Sequence, residues 1–161
     1  NKFKLVLDTS SKIVLESLQY NPYCIKPNNE ELANWFEKES LTDEELNYYG
    51  KKLVEMGAEI VLLSLGKEGC LLFTKEESLY VNAPKGKVIN TACSGDTLLA
   101  TFIGLLKKEL ELGEALKEAV AAGSSTAFSP GLTDFSDVEE LKKQMQVKNL
   151  TIEQENINRN K

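Results

Sequence analysis

Apolar positions along this chain follow two rhythms. Short apolar runs at 3–7, 23–26 and 59–64 alternate with segments whose apolar residues recur every three or four positions. Those segments lie at 11–18, from Asn28 through Leu32, Trp35 and Phe36, and at 43–56. The runs predict strands and the spaced segments predict helices. A strand, helix, strand order over so few residues predicts a parallel crossover unit. The run at 59–64 has no polar alternation until its end, the pattern of a strand buried on both faces. After Ser64 the rhythm shortens to 70–74, 78–82 and 85–89, punctuated by Gly69, Pro84 and Gly86, which predicts an antiparallel edge. Helices are expected at 94–109, 114–128 and, past Pro130 and Gly131, 136–145. The polar, Asn-rich stretch 148–161 is expected to fray. No repeat or linker divides residues 1–147, so they are expected to form one α/β unit.

Composition narrows the function. At 161 residues with 42% hydrophobic and 27% charged positions, the chain supports one domain with a real core. A net charge of -6 and a pI near 4.9 argue against a nucleic-acid surface. No apolar run reaches membrane-spanning length and no signal peptide is visible, so no membrane partner is expected. Cys24, Cys70 and Cys93 are scattered, which disfavours a disulfide framework or zinc site and points to a reducing cytoplasm. The absence of histidine excludes Ser-His and Cys-His mechanisms within this chain. Acid–base chemistry therefore falls to Asp, Glu, Lys, Tyr or Cys. The chain starts at Asn1 directly in a strand-like run, and the expectation is that it begins partway through a longer protein.

The richest chemistry lies in 90–104, Asn-Thr-Ala-Cys-Ser-Gly-Asp followed by Thr-Leu-Leu-Ala-Thr-Phe-Ile-Gly. A polar turn containing Gly95 opens into an apolar helix, so backbone N–H groups converge at a helix N-terminus that suits an anion. Asp96 falls in the first turn, where the helix dipole favours a carboxylate. The same turn also reads as an ordinary helix cap. Three other stretches carry candidates. Lys26-Pro27-Asn28-Asn29-Glu30-Glu31 contains a capping-box pair, Asn28 and Glu31, in front of a helix. Ser64-Leu65-Gly66-Lys67-Glu68-Gly69 ends a strand with a two-glycine turn. It is no Walker loop, because neither Gly-Lys-Ser nor Gly-Lys-Thr follows. The small-residue segment 119–127 permits close helix packing and runs into Ser129-Pro130-Gly131. Asp8, at the end of the first strand, is left unassigned.

These stretches, in this order, resemble the C-terminal half of the PfkB (ribokinase-like) carbohydrate kinases over essentially the whole chain. Ser94, Gly95 and Asp96 match the family's Gly-Ala-Gly-Asp or Gly-Ser-Gly-Asp turn. Cys93 stands where a glycine is usual, and Thr101 where a glycine or alanine is usual. Asn28 and Glu31 match the family's Asn-x-x-Glu motif, and the longer string is similar to tagatose-6-phosphate kinases and 1-phosphofructokinases. Gly66 and Gly69 match its Gly-x-x-Gly loop. The resemblance implies a three-layer α/β/α sandwich, mostly parallel with an antiparallel edge, whose N-terminal half and lid lie outside this chain. It implies transfer of the γ-phosphoryl group of ATP, with Mg2+, to a sugar-phosphate substrate. D-tagatose 6-phosphate, going to the 1,6-bisphosphate, is the first choice and D-fructose 1-phosphate the second. In this scheme Asp96 is the catalytic base, and the backbone of Cys93, Ser94 and Gly95 forms the anion hole. Lys26, Asn28, Glu31, Ser64, Gly66, Gly69 and Ser124 contact the nucleotide, with Glu31 reaching the metal through water. A non-catalytic ATP-binding module is the alternative of another class. Self-association of the chain is expected.

Overall fold

The computed structural model describes residues 3–151. Six strands, β1 (Val6–Leu7), β2 (Cys24–Ile25), β3 (Val61–Ser64), β4 (Cys70–Phe73), β5 (Ser78–Val81) and β6 (Val147–Asn149), form a mixed sheet in chain order. Six helices accompany them: α1 (Ile13–Ser17), α2 (Asn29–Trp35), α3 (Asp43–Glu55), α4 (Ser94–Leu106), α5 (Leu112–Phe128) and α6 (Val138–Lys142). By internal packing the described residues divide into two compact units. One comprises 3–65, 71–79 and 149–151, and the other comprises 66–70 and 80–148.

In the first unit the predicted crossover is present. β1 and β2 run parallel with Val6 opposite Cys24 and Leu7 opposite Ile25, and β2 and β3 run parallel with Ile25 opposite Val61. α1 forms one connection, and α2 with α3 the other. Parallel pairing puts the carboxyl ends of β1, β2 and β3 at one edge. α2 begins where it does because Asn28 accepts the Glu31 N–H at 2.8 Å while Glu31 Oε2 accepts the Asn28 N–H at 2.9 Å. Thr42 and Glu45 form a second capping box at the start of α3. Each such cap is worth about 1 kcal/mol. Val14, Leu18, Leu32, Trp35, Leu53, Leu62, Leu63 and Phe73 fill this unit's core. The Trp35 indole N–H stays satisfied by donating to Ser10 O at 3.1 Å. β4 turns back into β5 through residues 74–77, with the Thr74 N–H donating to Glu77 O at 2.9 Å, which gives the expected antiparallel edge.

In the second unit the long helices α4 and α5 pack together, with Phe102, Leu116, Ala119, Ala121 and Ala122 buried. One expectation is corrected. Residues 85–89 form no strand: the Ile89 and Asn90 N–H groups donate to the single carbonyl of Ala127, at 2.8 and 3.1 Å, and so follow α5 instead of a ladder. Gly86 lies against the Phe128 ring, and Pro84 has no N–H to give a ladder. Residues 147–149 form β6, and the Ser78 N–H donates to Thr151 Oγ1 at 2.8 Å. The rest of the expected frayed tail, like Asn1, lies outside the described residues. α6 is shorter than the expected 136–145, and α5 starts earlier than 114 because Glu111 caps it by accepting the Glu114 N–H at 3.3 Å.

Candidate active site

At the carboxyl edge of β1, β2 and β3, the first unit gathers five side chains from distant parts of the sequence. Asp8 follows β1, Lys26 and Asn28 follow β2, Glu31 lies in the first turn of α2, and Ser64 ends β3. Asn28 and Ser64 sit side by side in an isolated parallel bridge, with the Ser64 N–H donating to Pro27 O at 3.0 Å. The Ser64 hydroxyl donates to that same carbonyl at 3.4 Å. Ligands collect at this edge of open α/β sheets because strand ends and helix starts leave backbone groups unpaired.

Lys26 is 93% buried, and its Nζ lies 3.2 Å from Asp8 Oδ1. The ammonium expected to face phosphate is thus held in place by the aspartate left unassigned in the sequence. Only the parallel register of β1 and β2 brings the two together. Cys24 lies just before them on β2, and burial pushes its thiol up to about 12, with Lys26 opposing that rise and Asp8 adding to it. Cys24 is therefore inert as a nucleophile. Glu31 commits Oε2 to the cap, which leaves Oε1 without a protein partner among the described residues. Among those residues no group of three or more His, Cys, Asp or Glu side chains converges. One half-buried carboxylate with a free oxygen suits a magnesium ion that keeps most of its water.

In the second unit the turn before α4 has a specific shape. Cys93 takes the left-handed conformation, φ 61°, ψ 2°, and caps the helix by backbone alone. The chain thus adopts the left-handed conformation at this position without a glycine. The Ser94 N–H is already engaged, donating to Thr91 O at 3.2 Å, and its hydroxyl donates to the same carbonyl at 2.9 Å. The first intrahelical bond runs from the Thr97 N–H to Cys93 O at 2.9 Å. That leaves the N–H groups of Gly95 and Asp96 open at the positive end of a helix of 13 residues, with the Asp96 side chain exposed beside them. Of the three N–H groups at this turn, that of Ser94 is engaged, and those of Gly95 and Asp96 have no backbone partner among the described residues.

Gly66 and Gly69 bracket a 3-10 turn in the same unit, closed by the Gly69 N–H donating to Gly66 O at 3.2 Å. Both have positive φ, 58° and 108°. A Cβ on Gly66 would meet nothing within 4 Å, so its backbone faces open space. A Cβ on Gly69 would overlap the Val81 carbonyl oxygen. Backbone donors left open at a helix N-terminus, as at Gly95 and Asp96, are of the kind that hold an anion.

Ser124 lies on α5, half-buried, with its hydroxyl donating to Val120 O at 2.8 Å. Its neighbour Ser125 was not singled out from sequence. That side chain is fully buried, 2.6 Å from Thr133 Oγ1 and donating to Asp137 Oδ1 at 2.6 Å, and it ties the loop after α5 to the start of α6. An isolated serine in a small-residue helix carries no local signal of such a network.

Comparison with known proteins identifies the family and the fold. Residues 1–139 match the pfkB family carbohydrate kinase description. Over 151 residues the chain is 48% identical to a D-tagatose-1-phosphate kinase of Bacillus licheniformis, covering 93% of this chain and 50% of that protein. Over 147 residues it is 40% identical to a 1-phosphofructokinase of Bacillus subtilis, covering 91% of this chain and 48% of that one. The structure of Arabidopsis thaliana ribokinase with ribose and ATP superposes with a TM-score of 0.73 at 26% identity, over 87% of this chain and 47% of that one. The chain spans about half the length of the curated relatives it matches, and its fold is the ribokinase-like α/β fold.

Proposed function

Because the chain belongs to the pfkB family of carbohydrate kinases, we propose that it carries the nucleotide-binding and phosphoryl-transfer residues of an ATP-dependent kinase for a ketohexose phosphate. The observation that carries this reading is Asp96, exposed in the first turn of α4 beside the open N–H groups of Gly95 and Asp96. Asp96 holds the attacking hydroxyl and takes its proton as the new P–O bond forms. Because the phosphoryl-transfer transition state is loose, that proton need not leave early, and an exposed carboxylate is sufficient. The Gly95 and Asp96 N–H groups, with that of Cys93, donate to charge developing on the migrating group.

Bound ATP supplies the phosphoryl group, and Mg2+ offsets its negative charge. Asn28 and Glu31 orient metal-bound water, Glu31 through the oxygen its cap leaves free. Lys26 provides a fixed positive charge at the sheet edge, and the exposed backbone at Gly66 is offered to the phosphates, while Ser64 and Gly69, whose N–H groups are already engaged, shape the loop and are assigned to the nucleotide by resemblance. Ser124 is assigned to the nucleotide by resemblance.

The substrate is a ketohexose 1-phosphate in this reading, since two curated relatives, 48% and 40% identical, are named for tagatose 1-phosphate and for 1-phosphofructokinase activity. D-tagatose 6-phosphate, the substrate expected from the Lys-Pro-Asn-Asn-Glu-Glu string, is the competing choice. The test is ATP-dependent phosphorylation by the full-length gene product of D-tagatose 1-phosphate, D-fructose 1-phosphate and D-tagatose 6-phosphate. Preference for a 1-phosphate supports the reading, and preference for the 6-phosphate overturns the substrate choice. Turnover of none of them overturns the kinase itself.

A further inference from the structure

The turn that carries Asp96 is held by α5, at positions with no proposed contact to substrate. Ala127 O accepts both the Ile89 and the Asn90 N–H, which anchors the chain where it enters the turn. Gly123 faces α4 so closely that a Cβ there would lie 2.9 Å from Ser94 O and 3.2 Å from Leu98 Cβ. The hydroxyls of Thr126 and Thr97 are 3.0 Å apart, and Thr126 Oγ1 also lies 3.2 Å from Ala122 O, so the backbone of α5 fixes its rotamer. Thr97 directly follows Asp96, and its N–H makes the first bond of α4.

The first turn of a helix, bonded on one side only, is free to shift and to rotate about the helix axis. Here Gly123 sets how near α4 approaches α5, and the Thr97–Thr126 pair sets the rotation of its first turn. Rotation decides where the Gly95 and Asp96 N–H groups and the Asp96 carboxylate point. The geometry points to Gly123 and Thr126 as positioning residues for the Asp96 turn, an inference that rests on the proposed role of Asp96 as base. It also explains two features of the sequence together. The glycine in the middle of α5 costs helix propensity, and it lies one turn from a threonine that turns its hydroxyl to a second helix. Close packing alone accounts for the glycine but leaves the paired hydroxyls without a purpose.

The test compares T126V, T126S, G123A and D96N in the full-length gene product. Displacement of a reacting group by about 1 Å costs on the order of a hundredfold in rate, so shifts of a few tenths of an ångström predict a kcat loss of about tenfold. T126V, which keeps the shape and removes the hydroxyl, is expected to lose about that factor in kcat while KM for ATP stays within about twofold. T126S, which restores the hydroxyl, is expected to recover kcat to within about twofold of wild type. G123A, whose Cβ must push the backbone of α4 away, is expected to lose kcat and to melt somewhat lower, since the gain in helix propensity offsets only part of the clash, so it supports the T126V and T126S comparison and does not replace it. Wild-type kcat in T126V and G123A, or T126S as slow as T126V, overturns the positioning role. Wild-type turnover in D96N refutes the base assignment instead, and the two failures are thereby distinguished.

Discussion

Replacing Gly69 and Gly66 by alanine, one at a time, separates what this loop does for the fold from what it does for the ligand. At Gly69, φ is 108° and the new Cβ would overlap the Val81 carbonyl oxygen while lying 2.8 Å from Ala83 N and 2.9 Å from Asn82 C. All three neighbours are backbone, so no side chain can swing away. Strain at that φ costs about 1–3 kcal/mol. Displacing packed neighbours adds about 1–3 kcal/mol. A loss near 4 kcal/mol is therefore expected, a large share of the roughly 5–15 kcal/mol that holds a domain folded. At Gly66, φ is 58° and the Cβ would meet nothing within 4 Å, so only the left-handed penalty of about 1 kcal/mol applies. Stability is read by urea denaturation of each variant. Nucleotide binding is read by KM for ATP, which Gly66→Ala is expected to raise about tenfold, or about 1.4 kcal/mol, by placing a methyl where backbone meets phosphate. Gly69→Ala unfolding at the wild-type midpoint would refute the packing argument. An unchanged KM in Gly66→Ala would refute the nucleotide contact.

Two further perturbations address the first unit. The folded Cys24 thiol, raised from 9.0 to about 12 chiefly by burial, holds its proton more tightly than the unfolded one. Its contribution is complete below pH 9.0 and is lost as pH rises towards 12, so wild type should lose up to about 1.4 kcal/mol per pH unit more than Cys24→Ala in that window. Equal pH slopes above 9 in the two proteins would sink this account. Glu31→Gln keeps a side chain able to close the capping box, so stability should change by less than about 1 kcal/mol while the magnesium needed for half-maximal rate rises severalfold. An unchanged magnesium response would leave Glu31 as a cap and nothing more.

Features encoded by neighbours in sequence were legible, and features made by register were not. The Asn28–Glu31 box could be read directly because both partners lie within one turn, and the structure contains both of its bonds. The crossover β1, α1, β2 followed from periodicity alone. The Asp8–Lys26 pair was invisible, since only the alignment of two parallel strands brings it about. Residues 85–89 misled because Val88 and Ile89 have strand propensity, while a distant carbonyl on α5 claims the backbone donors. At Cys93, local preference disfavoured the left-handed conformation, and the turn that leads into α4 adopts it all the same. The small residues of α5 were rightly read as a close-packing face, but nothing local identified Ser94 and Thr97 as what they pack against.

The central claim is that Asp96 takes the proton of the attacking hydroxyl. Asp96→Asn keeps the size of the side chain and its place in the first turn of α4, and removes the charge. Steady-state turnover of the full-length gene product with its preferred ketohexose phosphate, measured beside equilibrium binding of ATP, tests this directly. The account predicts a kcat at least about a hundredfold below wild type with ATP affinity retained. Wild-type kcat in Asp96→Asn would contradict it.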